Sequence, residues 1–167
     1  MEFLKIKKET ESEFENIAQT LFDNYAISTP NALYRLTEIE FYWNSPTHID
    51  NSTYKRVHVS PEAGEWLFHY SGVDIALKNK ETGGYGGILI RGLYDTKSNT
   101  PTKGPMVCAM KLFSAYNAFS QSIKTQIIEH SFPPSKIKKR IRKGLGKNAK
   151  ENGADQLNYA FFINPTE

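Results

Sequence analysis

The stretch Tyr34 to Trp43, YRLTEIEFYW, restricts this chain more than any other segment. β-branched and aromatic residues dominate it, which favours an extended strand. Side chains alternate faces along a strand. Unbroken alternation puts Tyr34, Leu36, Glu38, Glu40 and Tyr42 on one face, and Arg35, Thr37, Ile39 and Phe41 on the other. Carboxylates two positions apart then lie roughly 7 Å from each other. Left unpaired they repel, and burial penalises their charged forms. Such a pair serves as a general base or part of a metal cage, or it lies on a solvated strand face.

Length and charge narrow the setting. A chain of 167 residues is expected to form one domain with a proper core. No run approaches the roughly 18 apolar residues that span a bilayer, and MEFLKIKKETESEFEN turns acidic too early for a signal peptide. The single cysteine, Cys108, excludes an internal disulfide and a cysteine-built metal site. A cytoplasmic monomer without membrane contact is the expectation. The net charge of +3 conceals a segregation. Lys136, Lys138, Lys139, Arg140, Arg142, Lys143, Lys147 and Lys150 place eight of 21 basic residues in an acid-free window. The remainder carries 13 basic and 18 acidic residues, a net of −5. That asymmetry is the footprint of a polyanion partner, nucleic acid foremost, or else of a solvated basic surface.

Phe14, Ile17, Ala18, Leu21, Phe22 and Tyr25 recur at helical spacing. Thr10 and Glu13 form a capping box before them, and Ser28-Thr29-Pro30 ends the helix. A polar loop covers 44–64. WLFHY and VDIAL flank Ser71-Gly72 and read as a hairpin. GGYGG at 83–87 precedes a strand, ILIRGLYD; it lacks the GK[ST] ending of a phosphate loop and reads as a tight connection. Gly104-Pro105 opens a second helix, with Val107, Met110, Leu112, Phe113 and Tyr116 on its apolar face. The span from Asn117 to His130 has helical character, and Pro133-Pro134 breaks it. The basic tract leads through Gly144 and Gly146 to a last strand, LNYAFFIN. This order predicts an α+β fold: a single domain with a curved, mainly antiparallel sheet or roll, packed with a few helices.

Taken in order, the pieces resemble the alkyladenine (3-methyladenine) DNA glycosylase family of the non-helix-hairpin-helix type, whose fold is akin to the formyltransferase C-terminal domain. The family's V-E-T-E-A-Y pattern is matched by Thr37-Glu38-Ile39-Glu40-Phe41-Tyr42, its aromatic hairpin by AGEWLFHYSGVDIAL, and its V-L-I-R-A-L strand by Ile88 to Leu93. A Gly-Pro helix start stands at Gly104-Pro105, and the closing arginine-glycine segment and aromatic strand are similar to RIRKGLGKN and NYAFFIN. The resemblance covers roughly residues 18 to 164. It implies a catalytic glutamate at Glu40, with Glu38 beside it and Arg91 organising the site. It also implies a base platform at Tyr42 and a nucleotide contact at His48. Trp66, Phe68, His69, Tyr70, Ser71 and Asp74 of the hairpin would face the base. Lys136, Lys138, Lys139, Arg140, Arg142, Lys143 and Lys147 would hold the phosphates of double-stranded DNA. Enzymes of this kind take the base out of the stack and hold it between aromatic faces, and no cofactor or metal is implied. The family's wedge at the hairpin tip is Ser71 here, too small to fill a base-sized gap, so Tyr70 takes over or no base is flipped.

Two other readings stand beside this one. A binding module on the same scaffold, without chemistry, needs only the basic tract. A metal-dependent hydrolase or nuclease would draw on His48, Asp50, His58, His69 and Asp74 together with the two glutamates. Cys108, among apolar neighbours, reads as a buried small hydrophobe, and Trp43 as a core residue.

Overall fold

Strand β2, Leu33–Asn44, is the spine of the molecule, a computed structural model that describes residues 1–114, 119 and 124–166. Helix α1, Glu11–Asn24, precedes it, with the Thr10 hydroxyl accepting from the Glu13 N–H at 3.3 Å as the capping box requires. The helix stops one residue before Tyr25, because Tyr25–Ser28 continues as strand β1. Tyr25 therefore packs on the core from a strand, not from the helical stripe. Short helix α2, Lys55–His58, interrupts the polar loop. Strands β3, Trp66–His69, and β4, Gly72–Asn79, form the hairpin, and His69 pairs with Gly72. The two-residue loop is thus Tyr70-Ser71, one position earlier than Ser71-Gly72.

Strand β5, Gly84–Asp95, takes in all but the first of the glycines expected to precede it. A Cβ on Gly86 would stand 2.0 Å from the Tyr42 carbonyl oxygen, so the close approach of β2 and β5 requires glycine there. Strand β6, Thr100–Lys103, leads to helix α3, Pro105–Leu112, with proline in its first turn. Tyr116 lies outside the described residues. The predicted helix across 117–130 is not found in its described part: Gln126–Glu129 is strand β7, paired with β1. Two adjacent isoleucines, Ile127 and Ile128, suit a sheet edge as well as a helix face, and the pairing with β1 decides between them. Strands β8, Lys138–Arg140, and β9, Ala160–Phe162, close the chain.

Among the described residues these strands form one curled antiparallel sheet in the order β3-β4-β5-β2-β1-β7, with β6 on β5 and β8-β9 on β2. The fold is α+β, a half-barrel of antiparallel strands packed with helices, as expected. Phe14, Leu21 and Phe22 of α1 meet Phe41, Trp43, Ile75, Ile88 and Phe161 in its core, each such burial contributing about 1.5–3 kcal/mol.

The unbroken alternation expected along β2 does not hold. Between Leu36 and Ile39 the register against β5 shifts twice, leaving Thr37 extra on β2 and Arg91 extra on β5. Each bulge moves the pleat by one residue. Tyr34 and Leu36 therefore join Ile39, Phe41 and Trp43 in the core, while Glu38, Glu40 and Tyr42 form the opposite face by themselves. A Cβ on Gly92 would stand 2.7 Å from the Thr37 hydroxyl and 2.9 Å from the Glu38 Cβ, which explains the glycine beside the bulged arginine. The paired bulges aim Arg91 at the two glutamates.

Candidate functional site

Glu40, Leu89 and Asp74 are directly paired across β2, β5 and β4, so all three side chains rise from one face. The outer two stand roughly 10 Å apart at the backbone, two strand spacings. Leu89 floors a cavity of about 470 Å³ between them. Tyr42 and Arg91 form one wall, His58, His69 and Asp74 another, and Tyr54 and Tyr70 stand at the mouth. The segment 143–149, with Lys143, Gly144 and Lys147, crosses over the top.

Glu40 is fully buried and does not itself line the cavity. Its Oε2 accepts from the Tyr42 hydroxyl at 3.1 Å and from Arg91 Nη1 at 3.2 Å. Its Oε1 accepts from the Lys143 N–H at 3.1 Å, with Arg140 Nη1 at 3.7 Å. Glu38 accepts from Arg91 Nε at 3.3 Å and is also bonded to Arg140. Two carboxylates and two guanidiniums thus make a four-charge cluster, which compensates the cost of burying the anions. Tyr42 and Arg91, both wall residues, separate Glu40 from the open space. Burial, then the charge of Glu40, raises the Tyr42 phenol well above its ordinary value, keeping it a neutral donor.

Asp74 is buried on the other side of Leu89. His69 Nδ1 accepts from the Ser71 N–H at 3.2 Å, so its Nε2 carries the hydrogen donated to Asp74 Oδ1 at 2.9 Å. Both nitrogens of His58 face acceptors: Asp74 Oδ2 lies 2.7 Å from Nε2, and the Tyr54 carbonyl 3.0 Å from Nδ1. Only a doubly protonated ring donates to both. Burial raises the Asp74 pKa, but the bonds from His58 and His69 outweigh it, and the carboxyl titrates below its ordinary range. A Cβ on Gly87 would meet Asp74 Oδ2 at 2.7 Å and His58 Nε2 at 2.9 Å, so the last glycine of GGYGG leaves space for this cluster. The cluster holds Tyr54, whose ring packs against His58, His69 and Tyr70. The Tyr54 and Tyr70 hydroxyls are bonded to each other, and burial together with that contact pushes the Tyr54 phenol up to about 12.

The basic tract is divided in purpose. Arg142 does not face solvent: its guanidinium is buried, donating to Asp50 Oδ2 at 2.6 Å and to the carbonyls of Phe41 at 3.0 Å and Ala154 at 2.8 Å. It also lies over the Tyr42 ring, 4.7 Å from its centre. Arg140 is spent on Glu38 and Glu40, and Lys139 on Glu11 and Glu15. Lys136 and Lys138 are exposed, and Lys143 and Lys147 line the cavity with exposed side chains. Among the described residues no carboxylate pairs with Lys143 or Lys147. Of the seven expected phosphate contacts, Arg142 is thus buried and Arg140 half-buried, while Lys139 is exposed but paired with Glu11 and Glu15.

Other expected site residues lie elsewhere. His48 stacks on Tyr159 at 5.6 Å, away from the cavity, and burial lowers its pKa. Trp66 and Phe68 alternate with His69 along β3 and pack on Phe113 instead. The metal alternative loses its ligand set: His48 and Asp50 are held by Tyr159 and Arg142, far from Asp74's histidines in their bonding, and no group of three or more His, Cys, Asp or Glu among the described residues is arranged to hold a metal ion. Cys108 is buried in α3, and burial pushes its thiol up to about 12. Sequence reasoning missed Tyr54 and Leu89 in the cavity, and it weighed His58 only as a metal ligand. The one signal available was two aromatic rings, Tyr54 and His58, at helical spacing inside an otherwise polar loop.

No family model matches the chain, and no solved structure does. The chain is similar to an uncharacterised protein, L759, of Acanthamoeba polyphaga mimivirus, with 30% identity over 131 residues. The match covers 64% of this chain and spans 59% of the length of that relative. No described helix is long and apolar enough to cross a membrane.

Proposed function

We propose that the protein binds double-stranded DNA, accepts a damaged purine nucleotide turned out of the helix, and hydrolyses its N-glycosidic bond. The observation that supports this most is the aromatic- and cation-lined cavity of about 470 Å³ abutting the buried Glu40–Arg91 pair. A planar base would be held between tyrosine faces, Tyr42 on the wall and Tyr54 at the mouth. Tyr70 is 73% exposed at the hairpin tip, positioned as the wedge that Ser71 is too small to supply. Lys143 and Lys147, with Lys136 further out, offer ammonium groups for phosphates.

In the hydrolytic step a water oxygen bonds to the sugar carbon as the carbon–nitrogen bond breaks. The purine leaves with the bonding pair and takes up a proton from solvent, while Glu40 takes the proton of the attacking water. For that water to reach Glu40, the Tyr42 hydroxyl or the Lys143 N–H must yield its place on the carboxylate. Arg91 stays on Oε2 and balances the charge.

The full occupancy of Glu40's oxygens favours a second reading, a module that captures the nucleotide without cleaving it. Release of free base from duplexes containing hypoxanthine, a neutral damaged purine, separates the two. Hydrolysis predicts release that Glu40→Gln lowers by a factor of 10² or more, within the range of about 10²–10⁴ for a general base. Binding without release, unchanged by the substitution, leaves the module. DNA binding is tested apart from chemistry. The affinity should fall steeply with salt, and neutralising Lys143 and Lys147 should reduce the log–log slope by about 1–2. A flat salt dependence in the wild type would remove nucleic acid altogether.

A further inference from the structure

We infer that the cavity selects by charge: it accepts an electrically neutral planar ring and rejects one carrying a fixed positive charge, with Arg142, Lys143 and Lys147 as the residues that set this preference. The inference rests on the capture of an everted nucleotide proposed above, and it names the class of base that site takes.

Tyr42 lines the cavity, whereas Arg142 does not and is buried, so the guanidinium lies against the ring from behind the wall. An aromatic face attracts cations through its quadrupole, and here one cation already occupies a face, 4.7 Å from the ring centre. A base stacked on the free face at about 3.5 Å becomes the third layer of a guanidinium–phenol–base stack. A ring with a fixed positive charge would then stand roughly 8 Å from Arg142, with only a tyrosine and no water between them. A neutral ring meets no such repulsion and keeps the dispersion and stacking terms in full.

Countercharges do not cancel the effect. Asp50 offsets part of the Arg142 charge through its 2.6 Å bond. Glu38 and Glu40 are faced by Arg91 and Arg140. Asp74, the one carboxylate on the wall, is hydrogen-bonded to both His58 and His69. Every carboxylate at the site thus has a cationic or hydrogen-bonding partner. Lys143 and Lys147 remain as surplus positive charge on the wall itself. The donors still facing the open space, these ammonium groups and the edge of Arg91, favour carbonyl oxygens on the bound ring.

The test compares duplexes identical except at one position, which carries guanine, hypoxanthine or 7-methylguanine. A 2′-fluorine on that sugar blocks hydrolysis, so equilibrium binding of the full chain is read by fluorescence anisotropy in mildly acidic buffer, where 7-methylguanine stays cationic. The expected result is tighter binding of hypoxanthine than of 7-methylguanine by about tenfold or more, a scale set by charges interacting across a poorly solvated wall. Lys143→Gln combined with Lys147→Gln, both surface changes, should shrink that ratio by about threefold or more, and Arg142→Met should shrink it further. Equal or tighter binding of 7-methylguanine overturns the inference, as does a ratio that neither variant moves, and both leave nucleotide capture standing. If neither modified duplex is bound more tightly than the guanine duplex, capture itself fails and the inference falls with it.

Discussion

Glu40 and Asp74 stand one strand to either side of Leu89, both buried, yet Glu40 is faced by guanidiniums and Asp74 by imidazoles. The partners differ in kind. A guanidinium holds its charge at every pH a protein survives and presents a rigid fork of donors. An imidazole gives up its charge within the physiological range and changes from donor to acceptor when it does. The Glu40 side is therefore a fixed electrostatic frame, tied to β2, β5, β8 and the start of 143–149. The Asp74 side joins the hairpin to α2 through hydrogen bonds from His58 and His69. One wall of the cavity is held by guanidiniums, and the other, which carries the tyrosines of the mouth, by imidazoles.

Arg91→Leu should have the largest effect. It removes the guanidinium that bridges Glu38 and Glu40 and leaves the fully buried Glu40 with Arg140, at 3.7 Å, as its one charged partner among the described residues, beside the neutral Tyr42 hydroxyl and Lys143 N–H. Urea denaturation should show a loss of about 3–5 kcal/mol, the cost of breaking a buried pair. A loss under about 1 kcal/mol would mean that the frame is not electrostatic. Gly87→Ala tests the other side by volume, pressing a methyl group onto Asp74 and His58. It should cost about 1–3 kcal/mol by overpacking, while Gly146→Ala, where a Cβ meets nothing, stays within about 0.5 kcal/mol in the same assay.

The acid limb of stability sharpens the contrast. The Asp74 pKa is lowered by folding, so its contribution is present above the unfolded value, about 3.9, and is lost as pH falls through the lower folded value. In the wild type the denaturation midpoint should drop steeply below about pH 4, and in Asp74→Asn that part of the drop should vanish. The smallest effect lies outside both clusters. Folding also lowers the His48 pKa, so protonation favours the unfolded chain once pH falls below about 6.5. His48→Phe should flatten the decline in melting temperature between about pH 7 and pH 5. An unchanged slope would show that His48 is solvated rather than packed on Tyr159.

The amino-acid order by itself determined what local rules reach. The capped helix from Thr10, the strand built on YRLTEIEFYW, the aromatic hairpin and the proline-led helix at Pro105 all follow from spacing, propensity and capping within a few residues, and all are present. So is the α+β sheet they imply, and so are Glu38, Glu40 and Tyr42 on one strand face; Arg91 stands beside them, as the resemblance implied. Tertiary structure decided what depends on partners distant in the chain. The bulges at Thr37 and Arg91 exist only because β2 and β5 pair in that register, and they reverse which residues of β2 reach the core. The 126–129 segment is a strand because β1 offers it an edge. Arg142 is buried because Asp50, 92 positions away, and two carbonyls satisfy it, something that no charge count within a basic run can register. Local energetics act over neighbouring residues and are written in them, whereas burial and long-range charge pairing arise only once the sheet has curled.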